Sequence, residues 1–104
     1  MDAAEFHRAI DAAIERVARA LQSAEDVDFT AGDGLLTLEF DDGTRWVLNR
    51  QSGNHQLWLA AGARAWHYDW DADARTWRDD RDGHVVWDRL AALLAEKLGR
   101  PVAL

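Results

Sequence analysis

The hydrophobic period of this chain changes twice, and few architectures accommodate both changes. From residue 3 to residue 22, Phe6, Ile10, Ile14, Val17 and Leu21 recur three or four positions apart, the stripe of an amphipathic helix. The period then falls to two. In EDVDFTA, Val27 and Phe29 alternate with Asp26, Asp28 and Thr30, the pattern of a half-buried strand whose outer side carries carboxylates. LLTLEF, TRWVLN, QLWLA and ARAWHYDW continue the alternation, and ARTWRD makes a short sixth run. Gly32-Asp33-Gly34 and Asp41-Asp42-Gly43 are hairpin connections between the first three runs. From His84 the helical period returns in Val86, Leu90, Leu93, Leu94 and Lys97 or Leu98, and Gly99-Arg100-Pro101 ends it. A helix, five or six antiparallel strands and a helix are expected to form an α+β two-layer sandwich, with both helices on one face of the sheet and the other face in water. Val102 to Leu104 is a short tail that can lie against the sheet.

The 104 residues suit one domain, 1–104, with one core. No cysteine occurs, which excludes a disulfide framework, a thiolate metal site, a redox dithiol and a cysteine nucleophile. No apolar run reaches the length of a membrane span, and MDAAEFHRAI lacks the basic and apolar blocks of a leader, so a soluble, unprocessed protein is expected, and the lack of cysteine fits a reducing, cytoplasmic location. The net charge of -7 is unevenly spread: residues 1–42 hold eleven acidic side chains against Arg8, Arg16 and Arg19, and the remainder is nearly balanced. A cationic partner is favoured there, a metal ion or a basic protein surface, and nucleic acid is disfavoured.

LNRQSGNHQLWLA is the most unusual stretch. If Leu48, Leu57 and Leu59 face the helices, alternation turns Asn49, Gln51, Gln56 and Trp58 to the uncovered face. A tryptophan framed by amides offers apolar area with donors and acceptors beside it, the composition of a protein-binding hot spot. The other reading is cross-strand packing alone, with Val47 and with Trp66 or Tyr68 as neighbours.

NRQSGNHQLWLA, together with EFHR, YDW and the Gly83-to-Trp87 spacing, resembles a bacterial frataxin from Glu5 to about Leu98. The resemblance implies a small protein that binds ferrous and ferric iron weakly and acts in iron-sulfur cluster assembly. It implies contact with a cysteine desulfurase and a scaffold protein through the face bearing Asn49, Gln51, Gln56 and Trp58, with Arg50 in the same motif. A monomer is expected without iron.

Iron accepts carboxylate oxygen and imidazole nitrogen. The candidate ligands are His7, Asp11 and Glu15 on the first helix and Glu25, Asp26 and Asp28 where helix passes to strand; His7 and Asp11 stand four apart and can reach one ion. Exposed acids on a helix also serve as plain solvation, and Arg8, Arg16 and Arg19 can neutralise some of them. Leu21-Gln22-Ser23-Ala24 stands where bacterial frataxins often carry further acids, so weak, salt-sensitive binding of several ions is expected, without a closed cage. Two alternatives are a ferroxidase and a metal-independent acidic adaptor. No Glu-x-x-His di-iron motif occurs, and a non-enzymatic role is expected. His55, His67 and His84 are expected in structural or solvated roles. DWDADARTWRDDRDG lacks the spacing of a calcium loop and reads as charged turns.

Overall fold

The computed structural model describes residues 1–104. Helix α1 spans Ala3–Leu21, and Asp2 caps it, its carboxylate accepting the Glu5 N–H at 2.8 Å. Phe6, Ile10, Ile14, Val17 and Leu21 are buried as the stripe requires, with Ala13 beside them. Six strands follow: β1 (Val27–Gly32), β2 (Leu35–Phe40), β3 (Arg45–Gln51), β4 (Gln56–Ala61), β5 (Arg64–Asp71) and β6 (Thr76–Asp79). Helix α2 spans Val86–Leu98 and ends at Gly99, whose φ of 70° suits glycine and whose N–H donates to the Ala95 carbonyl.

The strands lie in one antiparallel sheet in chain order, each paired with its sequence neighbours. Register decides which side chains meet the helices. Leu36 pairs with Leu48, Leu48 with Leu59, Leu57 with Tyr68 and Trp70 with Trp77, so these residues share the covered face. Trp77, Tyr68, Phe6, Leu57 and Leu90 are among the largest fully buried side chains, and they join the two layers into one core. Both helices lie on this face, as the two-layer reading expects. No helix is long and apolar enough to cross a membrane.

One expectation about neighbours is corrected. Trp66 and Tyr68 lie on the covered face, opposite Leu59 and Leu57, and cannot pack on an outward Trp58. Its cross-strand partners are Asn49 and His67. In the tail, Val102 and Leu104 pack against the core, and the Leu104 carbonyl accepts from Arg16 of α1 at 3.1 Å.

The charged run between Asp71 and His84 forms the β5–β6 turn and the turn into α2. Asp71 accepts the N–H groups of Asp73 and Ala74, and Asp79, although buried, accepts those of Arg81 and Asp82. Burial pushes the Tyr68 phenol well above its ordinary value. The Tyr68 hydroxyl lies 2.8 Å from His84 Nε2, and His84 Nδ1 lies 2.6 Å from the Asp82 carboxylate.

Candidate functional site

Two regions hold the residues singled out in the sequence. The first is the acidic edge. His7, Asp11 and Glu15 are exposed along α1, and Glu25 and Asp28 are exposed where the chain enters β1. Glu15 pairs with Arg19. Asp26 is engaged more firmly: Arg100 donates to it from Nε and Nη2, both at 2.8 Å, which holds its carboxyl below the ordinary aspartate range. Arg100 lies 74 positions away in sequence, so periodicity could not have paired them.

No three of these acidic-edge donors converge. The one set of three His and carboxylate residues whose ligand atoms lie within 4.8 Å of one another is Asp79, Asp82 and His84, in the turn before α2. Its atoms already satisfy backbone N–H groups and one another, as a capped turn does. The acidic edge therefore offers iron suitable oxygen and nitrogen donors from single residues or pairs, without a preassembled cage.

The second region is the open face of the sheet. Asn49, Gln51, Gln56 and Trp58 all lie on it, since Asn49 pairs with Trp58 and Gln51 with Gln56. Gln56 is only 8% exposed, and both ends of its amide are used. Its Nε2 donates to Asp69 and Asp80, each at 3.1 Å, and its Oε1 accepts the Trp58 indole N–H at 3.0 Å. Trp58 stacks on His67 with ring centroids 4.2 Å apart, and His67 Nδ1 stands 3.9 Å from Asp80. The indole is thus fixed from two sides. Its N–H is consumed internally, so what it presents outward is apolar ring area.

Around the indole, register brings Thr37, Val47, Ala60 and Ala65 to the same face, with Leu35 45% exposed at its margin. Gln51 turns back to accept the Gly53 N–H at 3.2 Å. Arg50 is apart from the amides. It pairs with Leu57 on the other face, and its side chain lies over Gly34, where an added Cβ would come within 2.9 Å of the guanidinium. Asp33 stands 3.7 Å from it. Asp69 and Asp80 support Trp58 through Gln56 without having stood out in the sequence, while His67, expected in a structural or solvated role, stacks on the indole. Period-two alternation in β5 places His67 and Asp69 on one side, which was the available signal.

Fold and surface together define a two-layer α+β domain whose distinctive chemistry lies on an open sheet face and an acidic edge. Residues 1–100 match the frataxin-like domain family. Over 95 residues the chain is 37% identical to the iron-sulfur cluster assembly protein CyaY of Thioalkalivibrio sulfidiphilus (strain HL-EbGR7), covering 91% of this chain and 88% of that one. It is 34% identical to the protein of the same name from Dechloromonas aromatica (strain RCB) over 106 residues, covering 100% and 99%. Among solved structures, frataxin from Psychromonas ingrahamii superposes with a TM-score of 0.89 at 33% identity, covering 98% of this chain and 96% of that one. A trimeric yeast frataxin in a ferrous complex, 22% identical, shares the fold at a TM-score of 0.71 over 92% and 87% of the two chains. The chain belongs to the frataxin family.

Proposed function

We propose that this chain is a non-catalytic module of iron-sulfur cluster assembly, acting as one domain in the cytoplasm, that docks on a cysteine desulfurase and its scaffold protein. The observation carrying this reading is the half-buried Trp58, held rigid by Gln56 and His67 with apolar area turned outward. A preorganised aromatic loses little freedom on binding and makes a good anchor. Asn49 beside it supplies polar specificity, and the acidic edge steers a basic partner surface electrostatically. The names of the two bacterial relatives support the pathway.

Iron is the cargo in this reading, bound weakly by His7, Asp11, Glu15, Glu25, Asp26 and Asp28 on a chain that is monomeric without it. Ferrous iron titrated into ¹⁵N-labelled protein is expected to broaden resonances of residues 7 to 28 first; unbroadened signals there remove iron from the proposal. The Asp26–Arg100 pair and the lack of convergence at the edge favour a second reading, a metal-independent acidic adaptor. Pull-down of purified desulfurase and scaffold separates the two: the first reading expects capture to rise with ferrous iron, the second expects no change. Trp58→Ala and the double reversal Asp26→Lys with Asp28→Lys should each weaken capture while circular dichroism is preserved. Undiminished capture by both variants refutes the docking model.

A further inference from the structure

On the side of α1 away from the acidic edge, alanines make room for a trough. Ala9, Ala12 and Ala13 face Trp70 of β5, Trp77 of β6 and Trp87 of α2 across a hollow of about 140 Å³. Ala9, Trp70 and Arg75 also line an outer cleft of about 470 Å³, so the two share walls. Arg8 stands on the outer wall, Arg16 on the inner one and Arg75 on both. The Arg16 guanidinium carbon lies over the Trp87 ring, 4.2 Å from its centroid.

In a chain of net charge -7, Arg8 and Arg75 make no ion pair with any Asp or Glu side chain, a condition shared with Arg64, Arg81 and Arg89, and Arg16 donates to the Leu104 carbonyl at 3.1 Å. Glu5 is the single carboxylate lining the trough. Arg75 is held in the left-handed region at φ 53°, an uncommon conformation for a non-glycine residue, and lines both parts of the trough from the β5–β6 turn.

The geometry points to a second docking surface here, one that takes an acidic peptide segment carrying an aromatic side chain. An apolar hollow of about 150 Å³ is sufficient to hold a benzene ring. Guanidinium groups at its rim suit carboxylates, which they engage through paired hydrogen bonds. The trough is open along its length, and an enclosed pocket would be expected for a small molecule. A linear segment with one buried ring and acidic flanks satisfies all three features, and neither the acidic edge nor the Trp58 face takes part.

The test is a titration of ¹⁵N-labelled protein with the capped pentapeptide Asp-Glu-Phe-Glu-Asp. Saturable shifts are expected at the amides of Ala9, Ala12 and Ala72 and at the indole N–H groups of Trp70 and Trp87. Affinity should fall about fivefold when Phe in the peptide is replaced by Ala, and about fivefold in the double variant Arg16→Gln with Arg75→Gln. Ala12→Leu, which fills the hollow, should abolish the preference for Phe, and Trp58→Ala should bind as the parent does. The proposal is overturned if no saturable shift appears by about 5 mM peptide. It is equally overturned if the Ala peptide binds as well as the Phe peptide, or if phenyl phosphate binds as tightly as the pentapeptide, which would mark a small-anion site.

Discussion

With three of its hydrogen-bonding positions filled, the Gln56 amide fixes Trp58 on one side and two carboxylates on the other. Removing it should therefore loosen the open face from within. Gln56→Ala is expected to lower stability by about 1–2 kcal/mol, read as a reduced urea midpoint, and to broaden the Trp58 indole resonance. A variant with an unchanged midpoint and a sharp indole signal would contradict the bracing role. Thr76 presents the opposite case, since its Oγ1 is buried without a partner. Thr76→Val keeps the shape and removes the unpaired hydroxyl, and it should raise stability by about 1 kcal/mol in the same assay. Alternation alone separated the amides from the leucines, and it also groups Arg50 with Leu48. The family motif placed Arg50 among partner contacts, whereas its side chain covers Gly34. The supports of Trp58 were harder to read because Asp80 lies 24 positions beyond Gln56, outside any local pattern.

The elements themselves were legible because each carries one uninterrupted period. The α1 stripe and the strand alternation survive as buried and exposed faces. Residues 3 to 22, expected as the first helix, and the helical run expected from His84 agree with Ala3–Leu21 and Val86–Leu98 to within a residue or two. What no period records is how the elements are tied to each other. Lys97 of α2 reaches Asp42 in the β2–β3 turn at 2.6 Å, and Arg100 reaches Asp26 before β1. Gly99 makes the second tie possible by turning the chain at the end of α2. An added Cβ there would meet nothing within 4 Å, so any loss on substitution is conformational. Gly99→Ala should lower stability by about 1 kcal/mol in urea unfolding; no loss would show that the left-handed turn is dispensable.

At the scale of the whole molecule, five aspartates have carboxyls held below their ordinary range. The causes are the Glu5 N–H for Asp2, Arg100 for Asp26, Lys97 for Asp42, Arg78 for Asp71, and the His84 N–H for Asp82. A carboxyl depressed in the folded state contributes stability above its unfolded value and loses it as pH falls through the folded one. Urea midpoints should therefore hold steady down to about pH 5 and decline below about pH 4, where unfolded aspartates take up protons first. All five are at least partly open to solvent, so added salt should shrink the decline, and Asp26→Asn should remove part of it. A midpoint that starts to fall near pH 6 would implicate histidines instead. The strand order has a kinetic consequence. Because each strand pairs only with its chain neighbours, the sheet can close hairpin by hairpin over short loops. The helix ties, such as Arg100 to Asp26 across 74 positions, close long loops and are expected to form late. Arg100→Gln should then speed unfolding in stopped-flow measurements and leave the refolding rate nearly unchanged, while a slowed refolding limb would place helix docking in the folding nucleus.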